Sequence, residues 1–219
     1  MKQRNHKRFT LILAGLMMIA LSPVISVHVY AVDFTIIVLP DTQTYSEYYP
    51  EIFQSQTQWI AENKDTLNIV YVAHEGDIVE HSENESEWIR ADSAMSLLDA
   101  AMIPYGVVPG NHDMEYVNKK LLRNTRLFNK YFAPARFEKH AWYGGHMGDT
   151  NDNNYCFFEA AGMRFMVLGL EYAPRNETLA WANQIVAARP ECRVIVATHC
   201  YMRPEGRDTA CGNSYGLKD

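Results

Sequence analysis

The chain has 219 residues, 47% apolar and 12% aromatic, which is enough for one domain with a real core and excludes a disordered or fibrous protein. Its balance of 20 basic against 26 acidic residues, a net charge of −6, excludes the basic footprint that broad nucleic-acid binding needs.

The first 31 residues read as a leader. Lys2, Arg4, Lys7 and Arg8 make a basic start, Phe9 to Leu21 is uncharged and apolar, Pro23 breaks the run, and Val29-Tyr30-Ala31 offers a cleavage site after Ala31. The rival reading is an uncleaved anchor, because the uncharged stretch continues to Val32 and could span a bilayer. Cleavage predicts a secreted, periplasmic or cell-surface protein with no stable membrane insertion. Removing those four of the 20 basic residues leaves 16 against 26 acidic ones, a net charge of −10. Such a surface suits sites that gather divalent cations.

Beyond the leader, the pattern predicts a strand over Phe34–Leu39, ended by Pro40, and a helix over Tyr49–Asn63. A strand over Asn68–Ala73, a helix over Glu85–Met102 and a strand over Ile103–Val108 follow. Val117–Phe132 reads as a third long helix, and His140–Asn154, rich in Gly, Asp and Asn, as a loop. Asn154–Ala160 and Met163–Leu170 form an expected hairpin about Gly162. A helix over Thr178–Ala188 and a strand over Arg193–Thr198 complete the series. Alternating strands and helices favour an α/β architecture with helices on both faces of a layered sheet. Cys156, Cys192, Cys200 and Cys211 allow three pairings or remain buried thiols, and no CxxC spacing suggests a zinc knuckle.

Polar residues stand where these strands end. Asp41 follows the first strand, Gly76-Asp77 the second, Asn111-His112-Asp113 the third, and His199 the last. Ligands of open α/β sheets bind at the carboxyl ends of strands, so these residues are expected to converge. Taken singly, each has an ordinary reading as a turn, a cap or a core histidine.

In order, Asp41-Thr42-Gln43, Gly76-Asp77-Ile78-Val79-Glu80, Gly110-Asn111-His112-Asp113 and Thr198-His199 resemble the motifs of calcineurin-like metallophosphoesterases, DxH, GDxx(D/E), GNH(D/E) and a lone His. The resemblance spans Thr35 to His199. It implies a layered α/β/β/α metallophosphoesterase fold with mixed sheets, and hydrolysis of phosphate mono- or diesters by a hydroxide bridging two divalent metals. It assigns Asp41 and Asp77, with Gln43, to the first metal, and Asp77, Asn111 and His199 to the second. Mixed oxygen and nitrogen ligands suit Mn, Fe or Zn. His112 would face the leaving group, with Asp113 holding its imidazole. His81, after the second motif, and His146, in the 140–154 loop, are candidates for substrate contact, whereas His74 reads as structural.

Two departures from the family pattern are visible. Gln43 replaces a common His ligand, and the family's GHxH motif does not follow His199. The resemblance therefore implies a missing C-terminal part, two metals each short of one imidazole, and weak activity. It leaves open a domain that keeps the fold and binds a metal or phosphate ligand without turnover. No GxSxG, HExxH or GxxxxGK[ST] motif supports another hydrolase class.

Overall fold

A computed structural model describes residues 33–200 apart from Lys119, together with the backbone of 202–203 and 206–207. The expected leader and Cys211 lie outside the described residues. Among the described residues, no helix is long and apolar enough to cross a membrane.

The first sheet is parallel, in the order β1 (Thr35–Leu39), β2 (Ile69–His74), β3 (Tyr105–Val107). β2 and β3 are short apolar runs covered on both faces, the usual state of parallel sheets, whereas β1 is half-buried and leaves Val38 exposed. On one face lie α2 (Pro50–Asn63) and α3 (Glu85–Ala100), which bring Phe53, Ile60, Trp88, Met95 and Leu98 to Leu39, Val72 and Val107. Pro50 opens α2 at its first turn, where a missing N–H costs nothing. Asn84 caps α3 by accepting from Ser86 N–H. A one-and-a-half-turn helix, α1 (Gln43–Tyr48), links β1 to α2.

The chain then crosses to the second sheet through small elements. Val117–Phe132 is not one helix. Tyr116–Val117 (β4) pairs antiparallel with Lys120–Leu121 (β5), and helix is confined to α4 (Arg126–Tyr131) and α5 (Pro134–Phe137). Tyr116 and Val117 favour extended backbone, and Asn118 takes φ 51°, a conformation Asn tolerates and a helix does not contain. Ala133 is held extended by the proline after it, which separates α4 from α5. The 140–154 region also holds a strand, β6 (Tyr143–His146), within its expected loop.

The second sheet has the order β6, β7 (Asn154–Ala160), β8 (Met163–Leu170), β9 (Arg193–Thr198). β6, β7 and β8 run antiparallel, while β9 runs parallel to β8 after the crossover through α6 (Asn176–Ala187). Its side chains alternate. Cys156, Phe158, Phe165 and Val167 face the first sheet through Tyr71 and Ala73, whereas Tyr155, Met166, Leu168 and Leu170 face Leu179, Ala182 and Val186 of α6. The layers are therefore helix, sheet, sheet, helix. Two short strands, β10 (Met202–Arg203) and β11 (Gly206–Arg207), follow.

Trp88 anchors the outer helical layer. It is fully buried, lies within 6.5 Å of the Phe128, Tyr131 and Phe132 rings, and donates from Nε1 to Ser82 O at 2.9 Å. Trp88→Ala is expected to cost about 3–5 kcal/mol through the cavity it leaves. Urea denaturation read by far-UV circular dichroism measures this, and a loss below about 1 kcal/mol would mean the layer closes around the gap.

Candidate metal centre

The centre is assembled from loops at the ends of β1, β2, β3 and β9. Asp41 and Asp77 both adopt left-handed backbone, φ 40° and 49°. Asp tolerates this region better than most residues, and such strain gathers at functional sites. The loops after β2 and β3 lie backbone to backbone. A Cβ on Gly76 would stand 2.6 Å from Gly110 N, and one on Gly110 would stand 2.1 Å from Asp77 Oδ1. Gly76 also has φ 98°, so only glycine suits both requirements.

A buried carboxylate locks these loops together. Asp113 Oδ1 accepts from Ile78 N–H at 2.9 Å and Val79 N–H at 3.1 Å, and Oδ2 accepts from Gly110 N–H at 2.8 Å. His112 N–H donates to Asp77 Oδ1 at 2.9 Å, adding a second tie. Burial and then the charge of Asp77 push the Asp113 carboxyl up to about 7, against the pull of the Gly110 and Val79 N–H groups and of His199. This corrects the expectation that Asp113 holds the His112 imidazole. That ring is held by Glu80, whose carbonyl lies 3.0 Å and carboxylate 3.4 Å from Nδ1. Facing a carbonyl, Nδ1 carries the proton, which leaves Nε2 as the reactive nitrogen.

Asp41, Asp77 and His199 place one ligand atom each within 4.8 Å of one another. His199 Nδ1 donates to Glu75 O at 3.1 Å, the carbonyl support usual for a ligating imidazole, with Asp41 Oδ1 at 3.7 Å. Its Nε2 points to Asp77 Oδ2 at 3.3 Å. Burial pulls the His199 imidazole down, but the hydrogen bond and charge of Asp77, with Asp41 and Asp113, hold it at about 9. A cation bound at Nε2 would have to displace that proton. Gln43 Nε2 donates to Asp77 Oδ2 at 3.4 Å, while its buried Oε1 has no partner among the described residues. Two carboxylates, an imidazole and an unsatisfied amide oxygen fit a hard or borderline divalent cation.

The neighbouring His74 stays structural, as its sequence position suggests. Burial pulls its imidazole to about 3, so it is neutral. Its Nδ1 accepts from Gly76 N–H at 3.3 Å, and its Nε2 therefore donates to Thr42 Oγ1 at 2.9 Å. Thr42 passes the chain on to Ile78 O at 3.2 Å. This relay pins the loops carrying Asp41 and Asp77 to one another.

Beside the carboxylates lies a cleft of about 280 Å³ that collects Asn111, His112 and His81, with Tyr116 and Leu121 from the β4–β5 hairpin. Asn111 and His81 thus stand with His112. His146 does not line this cleft. It sits on β6, three strands from β9, with Glu138 Oε1 at 3.4 Å from Nε2. The sequence reading passed over Glu87, whose carboxylate organises the cleft wall. Its only sequence signal is Asn84-x-x-Glu87, which resembles an ordinary capping box.

The calcineurin-like phosphoesterase family matches residues 34–218 of this chain. The uncharacterized protein YvnB of Bacillus subtilis is 38% identical over 179 residues, covering 82% of this chain and 14% of its own length. The chain therefore spans about a seventh of that relative. Among solved structures, the purple acid phosphatase PPD1 of yellow lupin is similar at a TM-score of 0.50 and 15% identity, over 83% of this chain and 36% of that one. At that identity the likeness concerns the fold. A dimetal phosphatase from Danio rerio superposes with a TM-score of 0.46 and 16% identity, over 81% of this chain and 73% of its own.

Two outcomes follow from the geometry. Asp113→Ala strands three buried N–H groups, each costing about 1–3 kcal/mol, so a loss of at least about 3 kcal/mol is expected in thermal unfolding. A change under 1 kcal/mol would remove the lock from the account. Cation binding must also expel the His199 Nε2 proton, which is held up to about 9. Apparent affinity for Mn or Zn should then weaken roughly tenfold for each pH unit lowered from 8 to 6. Calorimetric titration showing a pH-independent affinity would argue against His199 as a ligand.

Proposed function

Because the chain belongs to the calcineurin-like phosphoesterase family, we propose that it hydrolyses phosphate mono- or diesters at this centre with two divalent cations, Mn, Fe or Zn. The observation that carries the reading is the convergence of Asp41, Asp77 and His199 within 4.8 Å, next to a cleft holding Asn111 and His112. Asp41, Gln43 and Asp77 would hold one cation, and Asp77, Asn111 and His199 the other. When bound, the cations would ionise the attacking water and neutralise phosphoryl oxygens.

The chain's own residues supply orientation. Asp77 has one oxygen fixed by His112 N–H and the other turned to His199 and Gln43, so its two oxygens diverge as a shared ligand requires. Asn111 and His112 are consecutive, so binding the phosphoryl group at Asn111 brings the leaving oxygen toward the imidazole. As an imidazolium, with Nδ1–H kept on the Glu80 carbonyl, His112 would deliver its Nε2 proton to that oxygen as the P–O bond breaks and be left neutral.

We also propose export from the cytoplasm. The basic and apolar leader pattern supports this, and so does Cys200, which is disulfide-bonded, because disulfides persist in oxidising compartments. Cys156 and Cys192 are free.

The direct test strips the protein of metal, restores Mn, Fe or Zn, and follows bis(p-nitrophenyl) phosphate and p-nitrophenyl phosphate. Metal-dependent turnover is expected. Tight metal binding without turnover would instead favour a domain that only binds. His112→Asn should keep metal content and lower kcat on alkyl phosphates by roughly 10²–10⁴-fold. The loss should be smaller on p-nitrophenyl esters, whose leaving group needs no proton. An equal loss on both would mean His112 acts through structure alone.

A further inference from the structure

The loop between β2 and α3 is built around Glu87. This carboxylate is fully buried, in the first turn of α3. Its Oε2 accepts from Glu80 N–H and His81 N–H, both at 2.9 Å, and its Oε1 accepts from Asn84 Nδ2 at 2.8 Å and faces His81 Nδ1 at 3.0 Å. The carboxylate therefore fixes the His81 ring directly. Through Glu80, it also fixes the carbonyl that holds His112. Burying a carboxylate is costly unless its oxygens are satisfied, and four donors satisfy this one.

His81 Nδ1 must carry the proton that faces Glu87, so Nε2 is the nitrogen left for the cleft. The side chain is 49% exposed, and Nε2 has no partner among the described residues. A surface histidine normally spends rotamer freedom in water. This one is tethered by a buried anion and shares its cleft with His112 and Asn111. The Glu87 hydrogen bond, opposed by burial and supported by the charges of Glu87, Glu47 and Glu80, raises the imidazole above its ordinary value, which favours a donor at Nε2.

The chemistry of the cleft is mixed in a particular way. His81 and the Asn111 amide donate, while Glu80, Glu83 and the Ser82 hydroxyl accept, and among the described residues no Lys or Arg lines it. A hydroxyl group is the small group that both donates and accepts. A second phosphate would meet the like charge of Glu80 and Glu83.

We propose that the Glu87–His81 pair forms a leaving-group subsite for hydroxyl-bearing alcohols, with His81 Nε2 donating to a substrate hydroxyl oxygen and Glu87 acting as the positioning residue. The reaction this serves is thus phosphate-ester cleavage from a polyol rather than from a simple alkyl alcohol or a doubly phosphorylated one. This rests on the phosphoesterase reading above.

The test compares glycerol 3-phosphate with n-propyl phosphate, equal in carbon number, in the metal-loaded intact protein. Wild type should favour the glycerol ester by about tenfold or more in kcat/KM, the order of one hydrogen bond to a charged donor. His81→Ala should erase that preference, bringing the kcat/KM ratio of the two esters to about one. His81 is half-exposed and Glu87 keeps its three other donors, so the variant is expected to stay folded, which far-UV circular dichroism checks. Glu87→Gln should reduce the preference and lower the midpoint of the His81 imidazole titration followed by NMR, because the opposing charge is gone. Should Glu87→Gln unfold, the His81→Ala comparison still decides. Equal kcat/KM for the two esters in wild type, or a preference untouched by His81→Ala, overturns the subsite. Absence of hydrolysis of p-nitrophenyl phosphate and both alkyl esters overturns the phosphoesterase reading instead.

Discussion

Three backbone N–H groups turned onto one buried carboxylate hold the functional end of this protein together. Ile78, Val79 and Gly110 donate to Asp113, and none has another use for its N–H inside a turn. The same turn forces Asp77 into a left-handed backbone, a conformation worth about 1 kcal/mol or more of strain that only over-determined surroundings sustain. Gly76 and Gly110 make the approach sterically feasible, and Asp113 makes it favourable. With the two loops joined, Asp77 and Asn111 acquire fixed relative positions, which a pair of independent turns would not provide.

The second requirement is the packing of sheet on sheet. Asp41, Asp77 and Asn111 come from the first sheet, whereas His199 ends the edge strand of the second. Phe158 stacks on Tyr71 with ring centroids 5.6 Å apart, and Asn154 Nδ2 donates to Val107 O at 2.9 Å, so the two sheets meet in a set register. Only then does His199 reach the Glu75 carbonyl and the Asp77 carboxylate. The result is an anionic cup in which Asp77, with Asp41 and Asp113, holds the His199 imidazole up to about 9. The high proton affinity and the expected metal affinity have the same electrostatic origin.

Helix α3 contributes to function through its first turn. Glu87 orders the loop that carries His81 and the Glu80 carbonyl, and Trp88, one residue on, clamps the Ser82 carbonyl while packing against α4. One side of the helix end therefore faces the cleft and the next faces the core.

Much of this was legible in the sequence. Apolar runs at 34–39, 68–73 and 163–170 marked strands, and polar residues at strand ends marked the centre, because period and punctuation are local properties. The motif order pointed to Asp41, Gln43, Asp77, Asn111 and His199, and the structure brings Asp41, Asp77 and His199 together. Tertiary structure decided the rest. Apolar residues over 117–132 suit a helix, yet extended pairing about Asn118 prevailed over propensity. Asp113 binds backbone N–H groups rather than His112, and Glu87 closes a loop rather than a capping box. These partners lie up to 35 residues away or are main-chain atoms, which every sequence possesses and none displays. Side-chain chemistry at strand ends can be read from residue identity, but which donor a buried carboxylate receives depends on loop geometry that exists only after the layers have packed.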